Sequence, residues 1–255
     1  MKLILKFALL LALTLQAHWT VASNAKLLSQ LSQQEREYLE QKQILRMPTY
    51  SNWRPFNFVD EGQPKGYLID LTRQISQKLG LELRFVQGFE WAQHMEKLSD
   101  GQLDVIGNMV LTKERQQRYL FSEEKTLELL TGFVSLEGYT RFDDLDGQVV
   151  GVQKDSVFEG YFKKKYSNVT YIEYLSFDDM IAALINGKID LFIENYSIAN
   201  FMINVSHIFN EDLQVRLVES EPDLQLNMHF AFNQQDAVLK GIFDKAYASF
   251  SQEDI

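Results

Sequence analysis

Apolar positions along this chain switch repeatedly between a helical and an alternating spacing. From Tyr67 to Leu79, Leu68, Leu71, Ile75 and Leu79 share one helical face, and Gly80 supplies a stop. Leu81–Val86 then reads as a strand, Trp91–Leu98 as a helix ended near Gly101, and Leu103–Met109 as a further strand. The rhythm restarts downstream with strand Val149–Val152, helix Val157–Lys165, strand Val169–Tyr174, helix Phe177–Asn186 closed by Gly187, and strand Ile189–Ile193. A helix at Ile198–Ile203, a strand near Leu213–Val218, an apolar stretch at Met228–Phe232 and a helix at Ala237–Phe250 follow. Ahead of the first unit, residues 26–41 carry Leu28, Leu31, Tyr38 and Leu39 on an intermittent face, predicting a lead-in helix. Strand Ile44–Met47, a turn-rich stretch Pro48–Pro55 and extended Phe56–Val59 come next.

Strands that alternate with helices imply βαβ units, hence largely parallel sheets covered by helices. The second unit echoes the first, down to LDVIGN at 103–108 against IDLFIEN at 189–195. The fold class is therefore α/β, with two lobes and a cleft between them. In such sheets, ligands sit at the carboxyl ends of the strands.

The first residues change where this domain is expected to work. Lys2 and Lys6 flank a short basic start, Phe7–Leu15 is a compact apolar run, and small residues follow at Ala17, Ala22 and Ala25. This is the pattern of a secretory signal over residues 1–25, and its run is shorter than the ~20 residues of a membrane span. An uncleaved anchor, extended by Trp19 and Val21, is the alternative. Both place the remainder outside the cytoplasm, and the expected compartment is the periplasm.

Composition then removes several function classes. The formal charge of −10 argues against nucleic-acid and anionic-membrane partners. With no cysteine, disulfides, thiolate nucleophiles and cysteine-bound metals are excluded. His18, His94, His207 and His229 are scattered, and neither a Gly-x-Ser-x-Gly elbow nor a His-Glu-x-x-His pair occurs. No catalytic constellation, metal site or cofactor is expected.

Several blocks carry a resemblance. They are Trp53-Arg54-Pro55-Phe56, Gly66 ahead of Asp70-Leu71, Lys78-Leu79-Gly80-Leu81, Gly101–Ile106 and Thr112-Lys113-Glu114-Arg115 with Phe121-Ser122. Gly147–Val152 and Gly187-Lys188-Ile189-Asp190 continue it. Taken in order, over about residues 35–250, the chain resembles the family 3 extracellular solute-binding proteins, the flytrap domains of amino-acid uptake and of bacterial sensors. The resemblance implies the type II periplasmic binding protein topology. Lobe 1 would comprise residues 26–133 plus 231–255, and lobe 2 residues 134–230, with crossovers near Thr131–Leu136 and Asn227–Phe232 as a two-strand hinge.

The resemblance also implies a site. Arg115 takes the position of an arginine that holds a ligand carboxylate, a task suited to the planar guanidinium fork; the alternative is a solvated surface charge. Trp53 and Trp91 match aromatics that sandwich the ligand, or else are partly buried core residues. Asn108, Val110 and Thr112 match contacts on and just after the preceding strand, with Val110 limited to its backbone. Ser156 and Val157 open a helix whose amides would face an anion, although Asp155 or Ser156 capping explains the same pattern. Asn195 stands where amino-acid binders place an acid for the ammonium. Its neighbour Glu194 should point away by strand alternation, which puts a zwitterionic ligand in doubt.

The expected function is binding of a small anionic or carboxylate-bearing solute, an amino acid or related organic acid, for ABC-type uptake. A sensing flytrap acting through a signalling partner is the alternative, and the stretch IENYSIANFMI after Asp190 leans that way. A cyclohexadienyl dehydratase-like enzyme with Glu194 or Glu159 as acid is a second alternative. The expected partners are the small-molecule ligand and an ABC permease or membrane signalling protein, with the chain itself a monomer.

Overall fold

The computed structural model describes residues 27–205, 213–218 and 226–250. The signal expected over residues 1–25 lies outside them.

The lead-in helix, α1 (Gln33–Lys42), begins on a capping box in which Ser32 Oγ accepts from Glu35 N–H and the Glu35 carboxylate accepts from Ser32 N–H. No residue within it is buried. Polar contacts hold it against the body: Lys42 to Asp104 at 2.6 Å, Glu35 to Lys245 at 2.7 Å, and Tyr38 Oη to Asp236 at 2.7 Å. Of the expected apolar face, Leu31 is buried in the first core and Tyr38 and Leu39 pack against it, while Leu28 is exposed.

In the first unit, β1 (Ile44–Pro48) pairs in parallel with β5 (Glu82–Val86). Between them β2 (Asn52–Trp53), β3 (Asn57–Asp60) and β4 (Gln63–Lys65) make a small antiparallel sheet. Gly66 closes that sheet at φ 115°, and a Cβ there would lie 2.5 Å from the Phe56 carbonyl oxygen. Only glycine permits this approach of backbone to backbone. Helix α2 (Tyr67–Leu79) starts at once, burying Leu68, Ile69, Leu71 and Ile75. Helix α3 (Trp91–Ser99) leads to β6 (Val105–Val110), buried at every residue. β6 and the long β7 (Tyr119–Leu129) both pair antiparallel with β13 (Leu226–Asn233), which lies between them. Helix α7 (Ala237–Ala248) closes this core with Leu239, Ile242 and Phe243.

The second unit is one five-stranded sheet in the order β10-β9-β11-β8-β12, formed by β8 (Thr131–Ser135), β9 (Val149–Gln153), β10 (Thr170–Tyr174), β11 (Leu191–Asn195) and β12 (Gln214–Leu217). Helix α4 (Val157–Lys165) covers one face, where Phe142 stacks on Phe162 at 4.1 Å between centroids. Helices α5 (Phe177–Ile185) and α6 (Tyr196–Val205) cover the other with Met180, Leu184, Ala199 and Ile203.

The α/β class stands, but the sheets are mixed. Parallel pairing is confined to β1–β5 and to β9 with β10 and β11. The strands that return between units, β8 and β13, run antiparallel to their neighbours. The two expected crossover segments are both paired strands. Thr131–Ser135 is laddered along its length in the second sheet, and Leu226–Asn233 in the first. The chain changes sheets at Leu130, and again between Val218 and Leu226.

Candidate ligand-binding cleft

The site is built where strand ends from the two units face each other. On the first side, β6 ends at Val110 and the chain turns. Thr112 Oγ1 accepts from Arg115 N–H at 3.1 Å, closing the turn, and Arg115 Nη1 reaches back to the Val110 carbonyl at 3.2 Å. The guanidinium then lies 5.5 Å from the Trp91 ring centroid. The surrounding walls desolvate it and lower its pKa to about 10, which leaves it charged at neutral pH.

On the second side, Asp155 adopts φ 56°, the left-handed region, at the bend between β9 and α4. Its N–H donates to Glu159 Oε2. Its carbonyl accepts Arg115 Nη2 at 2.8 Å and Trp91 Nε1 at 3.1 Å. Two side chains of the first unit therefore converge on one backbone oxygen of the second. Ser156 follows as the N-cap of α4, its Oγ accepting from Glu159 N–H at 3.2 Å. Ser156→Ala is expected to cost about 1 kcal/mol through the lost cap, measured by urea denaturation without added solute. A loss confined to solute-bound protein would remove the capping role.

The carboxyl end of β11 supplies Glu194 and Asn195, both buried. Asn195 Oδ1 accepts from Ile198 N–H at 3.0 Å, capping α6, while Nδ2 donates to the Leu130 carbonyl at 3.0 Å. That oxygen also takes Tyr196 N–H, so Leu130 is pinned to the start of α6. Burial raises the Glu194 carboxyl to about 7, against the lowering effect of a hydrogen bond from Asn195 N–H at 2.6 Å.

These elements enclose about 510 Å³, part of it open to solvent. The first unit lines it with Trp53, Trp91, Asn108, Val110, Arg115 and Met228; the second adds Gln153, Ser156, Val157, Phe158, Glu194 and Asn195. Of the residues singled out in the sequence, eight meet here. Thr112 does not line the space and instead shapes the turn that carries Arg115. Glu194 does line it, contrary to the alternation argument. Glu194 and Asn195 are both still laddered, to Gly132 and Thr131 of β8, and the cleft lies at this carboxyl edge of the sheet. There, two successive residues reach the same edge as the backbone turns into α6. Glu159 does not line it; its carboxylate accepts from Asp155 N–H and Lys163. Gln153, Phe158 and Met228 were missed. Gln153 ends β9, so the carboxyl-end rule marks it, whereas Met228 carries no sequence signal.

Below the floor, Tyr50 Oη donates to Asn108 Oδ1 at 3.0 Å and its ring meets His94 edge-on at 5.0 Å. His94 is fully buried, and neither ring nitrogen has a partner among the described residues. Desolvation lowers its pKa to about 4 from the ordinary 6.5. The unfolded chain therefore binds the proton more readily, and stability is expected to fall as pH drops through the window from 6.5 to 4. Between pH 8 and pH 5 the loss should be about 2 kcal/mol. A His94→Phe variant lacking this acid limb in urea titrations would support the assignment; an unchanged limb would refute it.

With the geometry in place, comparison with known proteins is informative. Residues 45–138 match the bacterial extracellular solute-binding proteins, family 3. The chain is a relative of the family 3 solute-binding proteins. The putative ABC transporter arginine-binding protein 2 of Escherichia coli K12 is 27% identical over 151 residues, which is 58% of this chain and 61% of that protein. An ancestral arginine-binding protein solved with arginine superposes with a TM-score of 0.70 at 26% identity, over 81% of this chain and 91% of that one. The second flytrap domain of Bordetella pertussis BvgS superposes at 0.74 with 16% identity, over 88% and 94%. The fold is thus the type II periplasmic binding protein fold. The matched stretch ends before Ser156, Glu194 and Asn195, so the second wall is read from this chain's own geometry. Among the described residues no helix is long and apolar enough to cross a membrane, and no group of three or more histidine or acidic residues is placed to hold a metal.

Proposed function

We propose that this family 3 relative binds, in the extracytoplasmic space, a small solute bearing both a carboxylate and an ammonium group, and closes over it. The observation that carries this is the pairing of Arg115 and Glu194 as the two ionisable side chains lining one cleft, one from each unit. Arg115 spends one donor on Val110 and one on Asp155, which leaves N–H groups of its five for a carboxylate. Glu194 can accept an ammonium, whose charge favours the ionised carboxylate and draws its pKa down. The negative partner that Asn195 lacks is therefore supplied one residue earlier. A solute touching both walls stabilises the closed arrangement by contacts that the open one cannot make.

Delivery to an ABC importer is the role this reading favours, in line with the name of the Escherichia coli relative. The test is calorimetry at pH 8 with amino acids and the matching acids lacking the amine. Amino acids should bind about 100-fold tighter; equal affinity for both overturns the zwitterion reading.

A second reading has one specific observation behind it. A cleft carboxyl raised to about 7 is poised as a general acid, as a dehydration of a cyclohexadienyl acid requires. Incubation with prephenate or arogenate tests it, and no aromatic product removes it.

A further inference from the structure

We infer that the solute's side chain is uncharged and mainly apolar, so that the cleft selects against arginine, lysine and glutamate. The inference rests on the zwitterion reading and goes beyond it. Once a carboxylate sits on Arg115 and an ammonium on Glu194, every ionisable side chain lining the cleft is paired. A third charge would be carried out of water with no opposite charge to meet it, and such burial is costly. Neither Asp155 nor Glu159, the carboxylates beside the second wall, lines the space, and Glu159 is held by Asp155 N–H and Lys163.

A guanidinium or ammonium side chain could instead be held by aromatic faces, but these are committed. The Trp91 ring is covered by the Arg115 guanidinium, and its indole N–H goes to the Asp155 carbonyl. Trp53 leans on Phe56 at 5.2 Å and 47° and lies 6.0 Å from Tyr50. With Ser156 and Asn195 spent on helix caps, the wall left for a side chain is mainly Trp53, Val110, Val157, Phe158 and Met228, which favour apolar surface, beside the uncharged amides of Asn108 and Gln153.

Calorimetry on the full chain at pH 8 tests this with phenylalanine, leucine and methionine, with arginine, lysine and glutamate, and with 3-phenylpropionate. The apolar amino acids should bind at least about tenfold tighter than the charged ones, and 3-phenylpropionate more weakly than phenylalanine. Charged amino acids binding equally or better would overturn the side-chain inference, while weak 3-phenylpropionate binding would keep the zwitterion reading. Failure of every amino acid would overturn both. Met228→Glu supplies the missing carboxylate and should move the ratio of arginine to leucine affinity about tenfold toward arginine. An unmoved ratio in a variant with native circular dichroism counts against the inference.

Discussion

Replacing Glu194 with glutamine is expected to stabilise the protein by roughly 3 kcal/mol at pH 8 and to change little at pH 4. Burial lifts the folded carboxyl to about 7 from an ordinary 4.5. Between those values the folded state holds a proton that the unfolded chain has released, so stability falls as pH rises through the window. Below 4.5 the carboxyl is neutral in both states and its burial carries no ionic penalty; above 7 the penalty is complete. Glutamine keeps the shape and removes the charge. Urea titrations of both proteins at pH 4, 6 and 8 check this, and a difference that is flat with pH would refute it. The same substitution should weaken amino-acid binding about 100-fold at pH 8, since the ammonium loses its partner. Stability and binding would then move in opposite directions, as expected where a site keeps a poorly solvated charge for use.

Arg115→Ala is expected to lose at least about 100-fold in affinity, through two separable effects. The carboxylate loses its planar pair of donors, and the two walls lose one of the hydrogen bonds converging on Asp155. Arg115→Lys separates them, because an ammonium retains the charge without the fork. Its affinity should fall between the two. Calorimetry reports the first effect, and small-angle scattering of the solute-free proteins reports the second as an increase in radius of gyration for the alanine variant. Wild-type affinity in Arg115→Ala would show that the cleft is not the binding site.

The sequence made the βα rhythm legible because α2, α3 and α5 each bury a continuous face, and glycines at 80, 101 and 187 punctuate them. It did not reveal β7. That strand reads YLFSEEKTLEL, and its four charged residues, Glu123, Glu124, Lys125 and Glu128, are all exposed and interrupt any apolar pattern. Pairing with β13 is a long-range event with no local signature. The first wall was legible through Trp53, Asn108 and Arg115, whose spacing follows the family. Glu194 was misplaced because alternation assigns the faces of a sheet, whereas the cleft sits at the carboxyl edge of β11, where its last two residues are laddered and line the same space. Glu194 is the one acidic side chain lining the cleft among the described residues, so the proposed pairing with an ammonium rests on it.

The carbonyl of Asp155 also bears on timing. Two first-unit donors end on this oxygen, and a non-glycine residue is held at φ 56° to present it. Parting the walls must break both bonds whatever solute lies between them. On the proposed binding role, the rate of escape carries a contribution common to every solute, set by the grip of protein on protein. Differences in affinity among solutes are layered on that shared dwell time, and a weakly held solute stays longer than its own contacts alone would keep it.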